Sequence, residues 1–255
     1  MIRSVLADPV FLLAAVVAVT LLGLSKGGLT GLGMAATPLL ALTVPPLQAA
    51  AILLPILLVQ DVISVWTYRR DWSASNLRAM LPGAVVGIAV AWLLAAYVSD
   101  AMLRLTVGLI GLAFVLNAWF VRAPAGAAAP RAWRGAFWGA LSGFTSTLVH
   151  AGSPPFQIHM LPQRLPKLTF VGTNMMFFAA VNFIKIAPYL SLGHFSRHTL
   201  TIAAVLAPLA IVTNFLGIWL VRVMPGKLFF RLIYVLMFAV SAALTGQALV
   251  GLARG

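Results

Sequence analysis

The sequence predicts an all-α polytopic membrane protein made of two inverted repeats, each a broken or re-entrant helix pair followed by three transmembrane helices. Three observations carry this. Uncharged runs recur at 79–99 between Arg78 and Asp100, at 198–221 between Arg197 and Arg222, and at 232–253 between Arg231 and Arg254; about 20 apolar residues suffice for a span. A break rich in Gly, Ser, Thr and Pro interrupts the apolar sequence near the start of each half. The first reads Ser25-Lys26-Gly27-Gly28-Leu29-Thr30-Gly31, the second Thr145-Ser146-Thr147-Leu148-Val149-His150-Ala151-Gly152-Ser153-Pro154-Pro155. The third observation is that the basic loops sort to one side once these pairs are placed.

Ten apolar segments follow in order. The first, 9–24, comes after Arg3; no small-residue cleavage site follows it, so it is expected to be retained and not removed as a signal peptide. The second, 28–43, is joined to it at Lys26-Gly27-Gly28. Both are short for spans, so together they predict a hairpin dipping into the bilayer or two short crossings. Pro45-Pro46 then turns the chain into 47–67, 78–97 and 102–121. The second half repeats the plan. Segments 132–149 and 153–162 meet at Ala151-Gly152-Ser153, a turn runs from Pro162 to Pro166, and 167–190, 198–221 and 228–252 complete it. Arg70-Asp71-Trp72-Ser73 is matched by Gly193-His194-Phe195-Ser196, and Trp92 and Trp219 follow at similar depth. The Ala/Pro/Gly-rich stretch 123–130 is the natural linker, which divides the chain into repeats 1–122 and 131–255.

Each broken pair returns to the side it left. The loops carrying Arg69, Arg70, Arg78, Arg122, Arg131, Arg134, Arg164, Lys167, Arg222, Lys227 and Arg231 then share one face, and the other receives only Arg3, Arg104, Arg197 and Arg254. That asymmetry makes the first face cytoplasmic and puts both termini on the periplasmic side. A pair plus three crossings is an odd count, so the second half is inverted relative to the first.

Composition excludes most other classes. Hydrophobic residues make up 62% and charged residues 8%, with a mean hydropathy of +1.04, against roughly 25% charged in soluble domains. The net charge of +13 is spread over short loops and forms no single stripe, which argues for membrane orientation and against nucleic acid. With no cysteine there are no disulfides, thiolate metal sites or thiol nucleophiles. No ATP-binding Gly-x-x-x-x-Gly-Lys signature occurs, so any transport is secondary or relies on another chain. Trp66, Trp72, Trp119, Trp133 and Trp138 lie near segment ends, as interfacial belts require.

Interrupted segments at matching places in two halves point to a transporter's substrate site. Lys26 inside such a break costs about 2.5–3.5 kcal/mol at a helix centre unless it meets water, a partner or a ligand. It is expected either as an ammonium in a cavity beside N–H groups of a half-helix N-terminus, where an anion binds, or as a surface lysine snorkelling to headgroups. Gly27, Gly28, Ser25 and Thr30 surround it. The second break offers Ser146, Thr147, His150, Gly152 and Ser153, with Pro154-Pro155 suited to a helix start; His150 reads either as a substrate or proton site or as a satisfied core histidine. His159, nine residues on, lacks the i, i+4 spacing of a helical metal pair, so no metal is expected.

In 167–190, Asn174 and Lys185 are eleven residues apart, which sets them about 20° apart on one helix face. Phe178 lies between them and Asn182 about 80° round. Lys185 faces a cavity or snorkels to the outer interface. Asp61, the acid well inside an apolar segment, pairs with Lys26 or Lys185 or carries a coupling proton. Pro55 in the same helix reads as a packing kink.

These residues resemble the TauE/SafE family of sulfite and organosulfonate exporters and permeases. The likeness lies in Gly23-Leu24-Ser25-Lys26-Gly27-Gly28 through Pro38-Leu39-Leu40, Ala49-Ala50-Ala51-Ile52 with Asp61, and Tyr68-Arg69-Arg70-Asp71-Trp72. In the second half it lies in Ser142-Gly143-Phe144-Thr145-Ser146, His150 to Pro155, Leu161-Pro162-Gln163-Arg164-Leu165-Pro166-Lys167, Val171-Gly172-Thr173, Asn182-Phe183-Ile184-Lys185 and Pro188-Tyr189. The resemblance implies sulfite, sulfonates or related small sulfur-containing anions as substrates. The chain departs from the commoner Gly-Ile-Gly-Gly-Gly-x-x-x-x-Pro pattern in both halves, with Gly31-Leu32-Gly33-Met34-Ala35 and the His-Ala-Gly-Ser-Pro-Pro version instead.

The reading is a secondary transporter of a small anion in the bacterial inner membrane, working by alternating access. Ser25, Lys26, Gly27, Gly28, Thr30, Ser146, His150, Gly152, Ser153, Asn174, Asn182 and Lys185 are expected to bind substrate, and Asp61 or His150 to carry a coupling proton. It is not expected to be an enzyme and calls for no cofactor. Its partners are the small anionic substrate and the lipid bilayer, with no nucleic acid; the sequence sets no oligomeric state. The rival readings are a passive anion channel and a membrane-embedded enzyme or assembly factor using His150, His159 and Asp61, which lacks an acid pair or a Ser-His-acid arrangement.

Overall fold

Apolar residues without a polar face make helices that must satisfy every backbone group internally. The computed structural model describes residues 8–44, 46–94, 100–120, 132–191 and 196–254. The described residues form α-helices and two short 3₁₀ turns, with no strand. The helices are α1 (Pro9–Gly27), α2 (Ala36–Leu40), α3 (Pro46–Tyr68), α4 (Ala74–Leu94), α5 (Asp100–Phe120), α6 (Ala132–Val149), α7 (Ser153–Met160), α8 (Lys167–Ser191), α9 (Arg197–Val223) and α10 (Gly226–Arg254). The 3₁₀ turns are Leu32–Ala35 before α2 and Leu161–Gln163 after α7. Six of the helices are long and apolar enough to cross a membrane, and the protein is an all-α, multi-pass membrane protein. Linker 123–130 lies outside the described residues.

Both breaks come from the backbone. α1 begins on an Asp8 cap, whose carboxylate accepts from the Val10 N–H, and runs through Lys26 and Gly27. It stops only at Gly28, where φ is 131°, a conformation that disfavours any side chain. Gly31, with φ 110°, turns the chain again. The sequence ends this segment at residue 24 and offers Lys26 a place beside the N–H groups of a half-helix N-terminus or at the headgroups; it lies instead, buried, in the last turn of α1, because the helix runs on to Gly28. The expected segment 28–43 is accordingly a turn, a 3₁₀ piece and only five α-helical residues. At 1.5 Å per residue, α2 and α7 are about 8 and 12 Å long, too short to cross.

Helix directions follow from the contacts. α1 runs the same way as α3: Phe11 and Ala15 pack with Ala49 and Ile52 near their starts, and the Lys26 and Gly27 carbonyls accept bonds from Ser64 and Tyr68 near their ends. Residues 28–44 therefore return across the thickness that α1 has traversed. α8 runs opposite to α3, since Gly172 lies against Tyr68 and Asp71, Asn182 bonds Asp61, and Tyr189 packs with Ala50 and Leu54.

Small residues let the helices approach closely, as membrane packing favours. A Cβ on Gly27 would stand 2.5 Å from the Gly217 backbone, and one on Gly23 would meet Thr213. Gly83 and Gly87 of α4 seat against Ala136 and Ala140 of α6, and Gly139 and Gly143 against Met80 and Ala84. α1 thus packs on α9 as α6 packs on α4, and α3 meets α9 as α8 meets α4. Exchanging the halves leaves this pattern of partners unchanged. Trp66, Trp72, Trp92, Trp119, Trp133 and Trp219 stand on the outer surface, whereas Trp138 is partly buried against the core.

Candidate functional site

The broken ends of α1 and α6 and the middle of α8 enclose a cavity of about 40 Å³. One water needs roughly 10–15 Å³ of such space, so the cavity holds a few waters or one small solute. Its walls are Leu22, Ser25, Lys26, Gly33 and Met34 from the first break, Ser146, His150 and Ser153 from the second, Leu57 from α3, and Asn174, Phe178, Asn182 and Lys185 from α8. Asn174, Phe178 and Lys185 are the face that the helical spacing predicts, and Asn182, about 80° round, joins them at the wall.

Lys26 is buried, and its ammonium donates to Asp61 Oδ1 at 2.5 Å. Asp61 Oδ2 accepts from Asn182 Nδ2 at 2.7 Å. The Lys26 ammonium also lies 5.8 Å from the centroid of the Phe178 ring, within range of a cation–π attraction. It occupies the C-terminal end of α1, where the helix dipole favours a cation.

Lys185 is fully buried. Its ammonium donates to the Ser146 carbonyl at 3.1 Å and the Ser146 hydroxyl at 3.2 Å, and lies 3.3 Å from His150 Nδ1. Ser146 is in the last turn of α6, so this lysine too sits at the negative end of a broken helix. Among the described residues the single ion pair is Lys26 with Asp61; Lys185 meets neutral acceptors.

His150 Nδ1 lies 3.0 Å from the Ser146 carbonyl as well as 3.3 Å from the Lys185 ammonium, and Nε2 lies 3.2 Å from the Ala50 carbonyl. A neutral ring has one proton to give to these two carbonyls, and a second positive charge buried beside the Lys185 ammonium would be repelled, so His150 is a neutral imidazole. Its backbone has φ 55°, a left-handed conformation that costs a non-glycine residue about 1–3 kcal/mol. Both ring nitrogens hold it there. Opposite, Asn174 Nδ2 is buried without a hydrogen-bond partner, which leaves a donor at the cavity wall for an incoming acceptor.

Four of the expected binding residues lie off the cavity wall. Gly27 packs on Gly217, Gly28 is surrounded by Val171, Val221 and Tyr68, and Gly152 is wedged between Phe178, Ser142 and Ser146. The Thr30 carbonyl and hydroxyl accept from Gln157 Nε2, each at 3.3 Å. α7 starts at Ser153, but Pro154 and Pro155 have no N–H, so its N-terminus brings mainly the Ser153 donors. His159 stands apart, 3.1 Å from Asn76 Oδ1, in a buried cluster with Gln163 that ties α7 to α4. No group of three or more His, Cys, Asp or Glu that could hold a metal occurs among the described residues.

Sequence reasoning missed three side chains that fix the breaks. Tyr68 donates to the Gly27 carbonyl at 2.7 Å, Tyr189 to the Thr147 carbonyl at 2.9 Å, and Ser64 to the Lys26 carbonyl at 2.7 Å. Tyr68 and Tyr189 each stand 22 residues after the first residue of their helix, α3 or α8. An alignment of the two halves would have found them.

No curated protein and no solved structure matches the chain. The family model described as sulfite exporter TauE/SafE matches residues 14–244, a stretch that takes in both breaks and every residue of the cavity wall. The chain therefore belongs to the sulfite exporter TauE/SafE family.

Proposed function

We propose that the protein is a secondary transporter that carries a small anion, namely sulfite, an organosulfonate or a related sulfur-containing anion, across the bacterial inner membrane by alternating access. The observation that carries this reading is Lys185, a fully buried ammonium facing a cavity and in no ion pair among the described residues. A buried charge without a counter-charge is expensive, and an anion in the cavity supplies one. Asn174 Nδ2 and the hydroxyls of Ser25, Ser146 and Ser153 offer hydrogen bonds to its oxygens. Asn182 holds Asp61, and Asp61 holds Lys26.

Access would alternate through movement of one half against the other as inverted repeats. Two features support that geometry: α3 and α8 run in opposite directions, and the pattern of helix partners survives exchange of the halves. The cytoplasmic face is the one bearing Arg69, Arg70, Arg164 and Arg222, with both termini outside.

The test is counterflow in proteoliposomes carrying the purified protein. Labelled sulfite or ethanesulfonate is expected to accumulate against unlabelled anion on the far side, and acetate to compete poorly. Flux without counterflow assigns a channel, and chemical conversion of the solute an enzyme. Lys185→Met is expected to abolish the accumulation.

A further inference from the structure

We propose that the cavity is matched in charge to a monovalent anion and rejects a dianion of the same shape. The inference rests on the anion-carrier reading above and narrows it to a charge class. It follows from summing the ionisable groups in and around the wall.

Lys26 and Asp61 cancel: one carboxylate oxygen takes the ammonium, and the other is held by the Asn182 amide, so Asp61 is engaged at both oxygens. His150 is neutral, because it stands 3.3 Å from the buried Lys185 ammonium, which would repel a second positive charge there. Lys185 is the remaining group, and its three neighbours, the Ser146 carbonyl, the Ser146 hydroxyl and His150 Nδ1, carry no formal charge. The wall therefore presents a single uncompensated positive charge. A monoanion closes the balance to zero, whereas a dianion leaves one negative charge buried.

The cavity size removes the usual escape. A space of about 40 Å³ has room for a few water-sized groups, which leaves little space at the wall for a hydrated cation beside the anion. The other donors at the wall, Asn174 Nδ2 among them, are neutral. They bind oxygens of a monoanion and a dianion alike and do not offset the extra charge.

Methanesulfonate and sulfate are the probes, being tetrahedral, similar in size, and charged −1 and −2. Binding of each to the purified full-length protein is measured by calorimetry at constant ionic strength. Methanesulfonate is expected to bind on the order of 100-fold more tightly, the ratio that corresponds to one uncompensated charge in a membrane interior. Asp61→Asn raises the wall to +2 while keeping the side-chain shape, and should shift the preference toward sulfate by at least about tenfold. Equal or tighter binding of sulfate by the parent protein overturns the proposal, whatever the variant does. A parent preference that Asp61→Asn leaves unmoved also overturns it, since selection would then be by shape. If neither probe binds while sulfite does, the charge-class proposal is overturned; if sulfite also fails to bind, the carrier reading itself falls.

Discussion

Asn182 donates to Asp61 across the crossing of α8 and α3, at 2.7 Å, and each residue stands fifteen positions after the first residue of its helix, Lys167 or Pro46. Corresponding places in the two halves thus meet, and they meet as an amide and a carboxylate. Two carboxylates there would repel, and two amides would leave Lys26 without a counter-charge. The difference between the halves at this one position allows a buried lysine on α1.

Lys26→Ala should therefore do more than weaken anion binding. It leaves Asp61 buried with only Asn182, and breaking a buried pair costs about 3–5 kcal/mol, so thermal stability in detergent should fall along with transport. The double change Lys26→Ala with Asp61→Asn should recover most of the stability and none of the transport. Lys26→Arg should rescue only in part, since a planar fork replaces a compact ammonium in a glycine-lined site. Normal stability and transport in Lys26→Ala would return this residue to a role at the headgroups.

Tyr68→Phe and Tyr189→Phe each remove one hydrogen bond to a carbonyl at a broken helix end. Each should cost about 0.5–1.5 kcal/mol. Because both bonds are buried and similarly placed, the two losses in thermal unfolding should be alike. A large loss for one and none for the other would show that the two breaks are not held in the same way.

Asp61→Asn and His150→Gln separate coupling from structure. If either residue carries a coupling proton, transport by the parent depends on the pH gradient and the matching variant loses that dependence. The carboxylate of Asp61 is occupied on both oxygens, and both nitrogens of His150 are engaged, so both replacements should also lower thermal stability. Gradient dependence that persists in both variants leaves these residues with a structural role.

Cysteine labelling is convenient because the chain has no cysteine of its own. Single cysteines at positions 122–131 and 222–227 should react from the cytoplasmic side, and those near both termini from the outside. A cytoplasmic N-terminus would remove the parity on which the inverted arrangement depends.

Helices were legible in the sequence because charge punctuates it: the runs bounded by Arg78, Arg197 and Arg231 give α4, α9 and α10 to within a few residues. The α8 face was legible because Asn174, Phe178 and Lys185 keep helical spacing. What the sequence hid is local backbone choice and partnership. Gly27 and Gly28 are adjacent and alike, and only the positive φ of Gly28 sets Lys26 inside a helix and not after one. Asp61 had two lysines in reach, and the packing of α1 along α3 chose Lys26. Thr30 reads as a cavity hydroxyl until Gln157 is seen against it.

The two lysines come from unlike places. Ser64 bonds the Lys26 carbonyl in one half, as Lys185 bonds the Ser146 carbonyl in the other, so lysine and serine have traded positions between the copies. In a carrier whose halves swap roles, identical halves would make the two end states mirror images with equal affinity and equal resting population. Under the proposed alternating access, the trade would break that degeneracy: one orientation would hold its cargo more tightly than the other, an intrinsic preference for one side before any gradient is applied.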